Sequence, residues 1–249
     1  MSSETKASWW NKFRYLHSRN PGVLQRSGVL FLTSIIPHSI IFFIFVENPP
    51  PMSTKAERTT AYIIETVAPI FNRQGYVGTS MSDLTEATGL TKGALYGNFE
   101  NKDALALSAF EYNCKKLLGA LDEVLEKPGT ALDRIYRLLD FYRHYDRFTQ
   151  EMGGCPILNV GVDAQYNHRI LSAAVKETAR TVEGKIALVL EQGVNKGELK
   201  LPVTPLQFAK QFFTMIMGAV SMATIMADRK YLHNTIAYLE VLIRKEIKN

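Results

Sequence analysis

Residues 79–105 read TSMSDLTEATGLTKGALYGNFENKDAL, and this stretch predicts two short helices joined by a tight turn. Ser80 is suited to cap the first helix, because its hydroxyl oxygen can accept a hydrogen bond from a free N–H group of the first turn. Asp83 follows in that turn, where the helix dipole favours an acid. Gly89 stands where a left-handed conformation would end the helix, and Thr91 can cap the second helix. The stretch therefore predicts a helix-turn-helix.

The second helix of this pair carries Gly93, Ala94 and Gly97 on the face that its apolar side chains leave free. Each glycine costs a helix up to about 1 kcal/mol relative to alanine, so helix stability does not account for them. A helix in the major groove of DNA benefits from small residues, because its backbone can then approach the bases closely. The two helices together are therefore predicted to read DNA. We also expect Leu84 and Ala87 of the first helix to point into the core.

A third helix is predicted to begin after Asn101, which is a good N-cap residue. Lys102 lies in the first turn of that helix, where a cation is unfavourable unless an anion is close. A DNA phosphate is the natural anion at such a position. Lys102 is therefore predicted to contact the DNA backbone.

These motifs resemble those of TetR-type transcriptional regulators. That family combines Phe-x-x-x-Gly-Tyr, Thr-Ser-x-x-Asp-Leu and Thr-Lys-Gly-x-Leu-Tyr-x-x-Phe-x-x-Lys-x-x-Leu, and this chain has them in that order at residues 71–76, 79–84 and 91–105. The resemblance implies an all-α fold. It consists of an N-terminal three-helix headpiece with a helix-turn-helix, followed by a helical ligand-binding and dimerisation domain.

The resemblance also implies which residues contact double-stranded DNA. Lys92, Gly93 and Ala94 are expected to face base edges, and most of the others to hold the phosphate backbone. The full set of predicted DNA contacts is Lys55, Ser80, Ser82, Thr91, Lys92, Gly93, Ala94, Tyr96, Asn98 and Lys102. The implied function is that of a homodimeric regulator, a repressor rather than an activator, that a small molecule releases from a palindromic operator.

Net charge is a weak argument for DNA binding in this chain. The formal net charge is +5, but the first 51 residues contain five basic and two acidic groups, which leaves only +2 for the remainder. Residues 52–105 contain five basic and six acidic groups. Binding must therefore come from where the cations are placed rather than from their number.

The two cysteines of the chain are too few for a disulfide framework and have no metal-ligand spacing with the five histidines. A reducing cytoplasm is the expected location. The sequence has no Cys-x-x-Cys pair, phosphate-binding Gly-x-x-x-x-Gly-Lys loop, Gly-x-Ser-x-Gly elbow or His-Glu-x-x-His motif. We therefore expect neither an enzyme nor a cofactor, catalytic residue or metal site.

Residues 1–51 differ in composition from the rest of the chain. A basic, aromatic start is followed by the charge-free apolar run 28–46, which is long enough to cross a bilayer although Pro37 and His38 interrupt it. Two interpretations are open. The run is a membrane anchor, which would make the chain a membrane-tethered helix-turn-helix signalling protein, or the segment is a start-site artefact and Met52 is the true start.

From residue 52 onward the apolar spacing predicts helices throughout and no strands. We expect a DNA-binding domain at 52–105 and a ligand-binding and dimerisation domain at 106–249. A single helix is predicted from about Thr130 to Gln150, and a short one from Pro156 to about Asp163. The last two helices are predicted near 205–227 and 231–248.

The penultimate helix is apolar over more than one face, with Phe, Met and Ile residues throughout. A surface helix needs only one apolar stripe, so this helix must be buried both by its own core and by a partner. Gly218, Ala219 and Ser221 would permit close helix approach. The resemblance implies that the last two helices form a homodimer with their copies.

Aromatic and sulfur-containing side chains between the headpiece and these helices are numerous enough to line a pocket for an apolar small molecule. The candidate ligand-binding residues are Phe110, Cys114, Tyr142, Tyr145, Cys155, Phe208 and Phe212. Ordinary core packing is the alternative for each of them. The sequence does not identify the effector.

Cys155 precedes Pro156, and proline is suited to the first position of a helix, so the thiol is predicted at a helix N-cap. There the helix dipole would lower the pKa of the thiol and favour the reactive thiolate. The surrounding Gly-Cys segment resembles that of TetR-type regulators that respond to electrophiles or aldehydes, which implies an electrophilic effector. The alternative is that Cys155 is a buried packing residue.

Overall fold

The computed structural model describes residues 54–247, so the apolar run 28–46 and its two interpretations lie outside the described residues. The described residues form ten α-helices followed by a short π-helical turn. The helices are α1 (Lys55–Gly78), α2 (Met81–Thr88), α3 (Lys92–Asn98), α4 (Lys102–Glu126), α5 (Ala131–Arg143), α6 (Tyr145–Gln150), α7 (Pro156–Asn167), α8 (Arg169–Asn195), α9 (Pro205–Ile225) and α10 (Lys230–Leu242), and the π-turn is Ile243–Ile247. The predicted all-α class is confirmed for this part of the chain.

Helix α1 begins with a capping box and is broken near its end by a glycine. The Thr54 hydroxyl oxygen accepts a hydrogen bond from the Glu57 N–H, and the Glu57 carboxylate accepts one from the Thr54 N–H. Gly75 has φ +77°, a conformation that interrupts the helix. A Cβ atom there would also lie 2.8 Å from the Asp163 carboxyl carbon. Gly75 therefore lets the end of α1 approach α7 closely.

The headpiece core forms where α1, α2 and α3 meet the start of α4. From α1, Ile63, Val67 and Phe71 are buried, and Leu84 and Leu95 of the next two helices are buried as well. Helix α1 packs extensively on α4. Burying these side chains stabilises the fold by about 1.5–3 kcal/mol each, so the headpiece is held chiefly by its apolar core.

Helix α4 is a single continuous helix from Lys102 to Glu126. The predicted boundary between residues 105 and 106 lies inside it. Because a helix with an unbroken hydrogen-bond ladder is stiff, a displacement at one end of α4 is transmitted to the other. Helix α4 is thus a rigid connection between the headpiece and the helices that follow.

The middle of the chain departs from two predicted helix boundaries. The helix expected from Thr130 to Gln150 is interrupted at His144, whose ψ of 15° is not helical, so α5 and α6 are separate. Helix α7 continues beyond Asp163 to Asn167. It ends there because His168 adopts an extended conformation, and its Nδ1 accepts a hydrogen bond from the Leu171 N–H at 3.1 Å, which caps α8.

Helix α9 is long and apolar enough to cross a membrane by length and composition alone. Its Phe212, Phe213 and Ile216 are nevertheless buried in the core, where it packs against α8 and α10. A buried core helix meets the same criteria, so this finding is weak support for a membrane span.

Candidate nucleic-acid interface

Helix α2 is held by a reciprocal cap at its N-terminus. The Ser80 Oγ accepts a hydrogen bond from the Asp83 N–H at 3.2 Å, and the Asp83 carboxylate accepts one from the Ser80 N–H at 2.7 Å. The backbone bond and then the side-chain bond to Ser80 lower the pKa of Asp83. At the other end, Gly89 has φ +65° and ends the helix, as predicted. The N-cap and C-cap together set the length of α2.

Helix α2 turns Leu84 and Thr88 toward the core, whereas Ala87 is exposed. The prediction for Ala87 was therefore wrong. Thr88 can be buried because its hydroxyl donates to the Leu84 carbonyl at 2.7 Å, which leaves no unpaired polar group. The Thr88 carbonyl in turn accepts a hydrogen bond from the Tyr62 hydroxyl at 3.0 Å, which ties α2 to α1.

Helix α3 is capped by Thr91, whose Oγ1 accepts a hydrogen bond from the Ala94 N–H at 3.2 Å. Leu95 anchors the helix in the core, with 1 % of its surface exposed. A Cβ atom at Gly97 would meet no atom within 4 Å, and one at Gly93 would meet only the Thr91 hydroxyl at 3.9 Å. Packing among residues 54–247 therefore does not require either glycine, and both lie on the open face of α3.

Lys92 and Tyr96 also lie on this open face, one helical turn apart. The Lys92 Nζ is 5.9 Å from the centroid of the Tyr96 ring, within the range of a weak cation–π interaction. The face thus combines a cation and a phenol hydroxyl with two positions that lack side chains. This combination suits close approach to an anionic, hydrogen-bonding surface.

The other predicted contacts fall into two groups. Lys55, Ser80, Ser82 and Thr91 are exposed, and Ala94 is half-buried. All five lie at or near the N-termini of α1, α2 and α3, where free backbone N–H groups favour a bound anion.

Asn98 and Lys102 form the second group, because their polar atoms are bonded inside the protein. The Asn98 amide donates to the Ala94 carbonyl at 2.9 Å, and its oxygen accepts from the Thr60 hydroxyl at 2.8 Å. The Lys102 ammonium donates to the Tyr76 carbonyl at 2.7 Å and lies 4.2 Å from the Tyr76 ring centroid. A phosphate contact would have to compete with these bonds. The spacing of residues in the sequence does not reveal the bonds.

Comparisons with known proteins agree with this geometry. Residues 63–109 match the family described as bacterial regulatory proteins, tetR family, and residues 131–239 match the tetracyclin repressor-like C-terminal domain. A solved TetR-family transcriptional regulator from Cytophaga hutchinsonii is 32 % identical, with 77 % of this chain and 96 % of that chain covered and a TM-score of 0.70. The chain belongs to the TetR family of transcriptional regulators. It is therefore a DNA-binding regulator of the helix-turn-helix type, as predicted.

Two further relatives support membership of the TetR family. A TetR transcriptional regulator from Chloroflexus aurantiacus is 30 % identical, with a TM-score of 0.74, and covers 78 % of this chain and 98 % of its own. The HTH-type transcriptional regulator YezE of Bacillus subtilis is 25 % identical over 148 residues, which are 59 % of this chain and 76 % of that protein. Both similarities extend well beyond the headpiece.

Two asparagines join the headpiece to the loop before α7 and to α7 itself. The Asn72 amide of α1 donates to the carbonyls of Met152 and Gly154, at 2.6 and 2.7 Å. In return the Asn159 amide of α7 donates to the carbonyls of Asn72 and Gly153, at 3.0 and 3.2 Å. Sequence reasoning missed both asparagines, because each of them bonds to a backbone carbonyl that lies 80 or more residues away along the chain.

Tyr76 is the centre of a second connection between the headpiece and the later helices. Its hydroxyl donates to the Asp103 carboxylate, and its N–H donates to the Asp163 carboxylate at 2.6 Å. Its ring packs edge-on against the His168 ring, with 4.4 Å between the ring centroids, and the His168 Nε2 lies 3.5 Å from the Asp103 Oδ1. Burial and the neighbouring Asp103 raise the pKa of Tyr76 to about 12. The aromatic residue of the Phe-x-x-x-Gly-Tyr motif is thus a structural link between α1, α4 and α7.

All seven candidate ligand-binding residues lie in the core, with 5 % or less of their surface exposed. Phe110, Cys114, Tyr142, Phe208 and Phe212 pack among other apolar side chains, and Tyr142 contacts Tyr145 at 5.2 Å between ring centroids. All seven belong to one hydrophobic core, and their role in ligand binding stays a prediction. Tyr145 and Cys155 also border an open cleft.

Cys155 is the N-cap residue of α7, as predicted, but its thiol is not activated. Burial raises the pKa of Cys155, and this effect outweighs the hydrogen bonds from the Tyr145 hydroxyl and the Leu158 and Ile157 N–H groups, which lower it. The expectation of a lowered thiol pKa was wrong, because burial destabilises the thiolate more than the helix N-terminus stabilises it. The thiol is therefore protonated at neutral pH.

Within residues 54–247, no three His, Cys, Asp or Glu side chains are grouped so that they could hold a metal ion. The chemistry of this region is that of hydrogen bonding, packing and charge.

Proposed function

We propose that the chain is a homodimeric repressor that binds a palindromic operator and is released from it by a small molecule. The observation that carries this proposal is the open face of α3, where Gly93 and Gly97 have no packing role and Lys92 and Tyr96 are exposed. In this proposal α3 lies in the major groove, with Lys92 and Ala94 toward base edges.

Backbone contacts are proposed for the exposed polar residues at the helix N-termini. Ser80, Ser82 and Thr91 would donate their hydroxyl protons to phosphates, and Lys55 would supply a cation. Tyr96 would add a phenol hydroxyl. Asn98 and Lys102 have a different primary role in this proposal. The bond of Asn98 to Thr60 holds α3 on α1, and the bond of Lys102 to Tyr76 holds the start of α4 on the end of α1.

The homodimer is supported by the second apolar face of α9 and α10. Met222 and Ile225 of α9 and Met226 directly after it are exposed, and Tyr238 and Val241 are exposed on α10. Clustered apolar side chains of this size are rare on monomer surfaces and favour an interface. A two-fold axis through this face would bring two α3 helices onto one side of DNA, about 34 Å apart, which a palindrome requires.

The domain organisation proposed is a DNA-binding unit at 52–105 and an effector-binding and dimerisation unit at 106–249. The residues matched to the two family regions, 63–109 and 131–239, are compatible with this division. A cytoplasmic location is proposed, since a DNA reader acts where the chromosome is. The membrane-tethered alternative depends on residues 28–46, and we do not propose it.

Selection of bound sites from random double-stranded DNA by the full chain tests the DNA-binding part. We expect a palindrome with half-sites about 10 base pairs apart. The Lys92→Ala variant should bind more weakly and also accept more bases at the contacted position, whereas Tyr96→Ala should weaken binding equally on all sequences. If both variants bind and discriminate like the parent, this placement of α3 is wrong.

Sedimentation velocity tests the dimer. Ile225→Glu puts a charge on the proposed interface, where 71 % of the isoleucine is exposed in a single chain, and should give monomers at micromolar concentration. Leu188→Glu is the matched control on α8, where the leucine is 53 % exposed, and should remain dimeric. A dimer in both variants would place the interface elsewhere.

A further inference from the structure

A large open cleft lies beside the junction between the headpiece and the later helices. Its volume is about 980 Å³, which is at the upper end of the range for small-molecule sites. The end of α1, the loop before α7, and the helices α6, α7, α9 and α10 all contribute to its wall. This space is already open, whereas the seven residues predicted to bind a ligand are buried, and of these only Tyr145 and Cys155 border the cleft.

Two of the three arginines that line the cleft are in ion pairs. Arg143 lies 2.7 Å from Glu240, and Arg229 lies 2.5 Å from Asp146. Arg73, on the last turn of α1 before the Gly75 break, has no hydrogen bond or ion pair with any residue in the range 54–247. The Asp163 carboxylate also lines the cleft and accepts a hydrogen bond from the Tyr76 N–H at 2.6 Å. The Arg73 guanidinium is thus a cation of the cleft that has no partner within residues 54–247 and can bind an anion.

Another part of the cleft wall is apolar. Leu158 and Val162 come from α7, Val220 from α9, and Leu232 from α10. Val162 is 67 % exposed, so it would lose contact with water if an apolar group entered. An apolar wall and one unpaired guanidinium are complementary to a molecule with an apolar body and a single anionic group.

We propose that this cleft is the effector site and that the effector is a small organic monocarboxylic acid bound through Arg73. This inference rests on the proposed function, since it names the ligand class and the place where that ligand acts. A guanidinium can bind a carboxylate through two parallel hydrogen bonds, which a neutral amide cannot match. The apolar body of the acid lies against α7 and α9.

This position couples the ligand directly to the DNA-binding unit. Arg73 belongs to the first helix of the headpiece, whereas the apolar wall belongs to helices of the effector-binding unit. An acid that touches both binds one relative orientation of the two units better than another. By linkage, it changes the operator affinity by the same factor by which DNA changes the affinity for the acid.

The test measures binding of a panel of acids to the full chain by isothermal titration calorimetry. The panel runs from acetate to dodecanoate and includes benzoate and phenylpropanoate, each compared with its primary amide. We expect at least one acid to bind at or below millimolar concentration and its amide to bind about tenfold more weakly or worse. Arg73→Gln should lose about the same factor for the acid.

Arg147→Gln is the matched control, because Arg147 is also exposed, has no ion pair within residues 54–247, and borders a different cleft. It should bind the acid like the parent. Equal binding of acid and amide, equal binding by Arg73→Gln and the parent, or no binding by any acid would each overturn the proposal. Loss of dimer in Arg73→Glu without any acid binding would identify the cleft as a subunit interface and overturn it as well.

The failure of this inference is separable from the failure of the proposed function. Operator selection without any acid tests the regulator on its own. If the parent selects a palindrome but no acid binds, only the effector site is wrong. If an acid binds through Arg73 but the operator affinity does not change, the cleft binds a ligand and its regulatory role is wrong.

Discussion

The loop before α7 offers a sharp test of how tightly the headpiece is joined to the rest of the protein. Gly153 has φ +78°, and a Cβ atom there would lie well under 3.0 Å from the Pro69 carbonyl oxygen of α1. Gly197 has nearly the same φ, +72°, but a Cβ atom there would meet nothing within 4 Å. Substitution of each by alanine therefore imposes the same backbone strain, and only Gly153→Ala adds a collision.

The two contributions can be assigned separate magnitudes. Holding alanine in the left-handed region costs about 1–2 kcal/mol, so Gly197→Ala should lower the free energy of unfolding by about that amount. Gly153→Ala should lower it by a further 1–3 kcal/mol or so, because the backbone of α1 must move away from the new methyl group. That movement also lengthens the hydrogen bonds of Asn72 and Asn159.

Urea denaturation of the full chain, followed by helical circular dichroism, measures both variants against the parent. The midpoint should fall in the order parent, Gly197→Ala, Gly153→Ala, with similar slopes if the unfolded states are alike. Equal midpoints for the two variants would refute the claim that the loop is packed against the backbone of α1. An unchanged operator affinity in a destabilised Gly153→Ala protein would refute the view that this contact positions the headpiece.

Three further outcomes follow from burial, capping and pKa values. Ile216→Ala, at a fully buried position of α9, should lower the free energy of unfolding by about 2–5 kcal/mol, whereas Leu188→Ala on the surface of α8 should cost about 0.5 kcal/mol or less, both from urea midpoints. Ser80→Ala removes the α2 cap and should cost about 1 kcal/mol in the same assay, with Ser80→Asp restoring most of it. Burial raises the pKa of Cys114 from 9.0 to about 12, so the unfolded state loses its proton first as the pH rises, and stability should fall across that interval. Cys114→Ala should show a shallower decline above pH 9 than the parent in unfolding curves taken at a series of pH values.

The headpiece could be predicted from the sequence because its determinants are local. Ser80, Gly89 and Thr91 act on backbone groups within four residues, and the structure confirms each cap at the predicted position. The inward face was harder to assign. Thr88 rather than Ala87 is buried. Its hydroxyl donates to the Leu84 carbonyl within the helix, and its own carbonyl accepts a hydrogen bond from the Tyr62 hydroxyl of α1.

The candidate ligand-binding residues were less predictable. The sequence indicated where they lie, but their burial changes the chemistry that was expected of them. Cys155 lies at the N-cap that Pro156 indicated, yet its thiol is buried and its pKa is raised. The apolar spacing indicated that Tyr142 and Phe212 are buried, and both are. It could not show whether they pack as ordinary core or line a pocket, since a closed core and a lined pocket have the same apolar composition.

The sequence by itself determined the all-α class, the helix-turn-helix and the small residues on the open face of α3, because helix caps and spacing depend on neighbours along the chain. Only the tertiary structure decided the connection between the headpiece and the later helices. Asn72 bonds to the loop at 152–154, Lys102 is held by Tyr76, and Arg73 has no partner within residues 54–247 beside an open cleft. Each of these depends on where distant segments meet, and that is set by the packing of the whole core rather than by any local pattern.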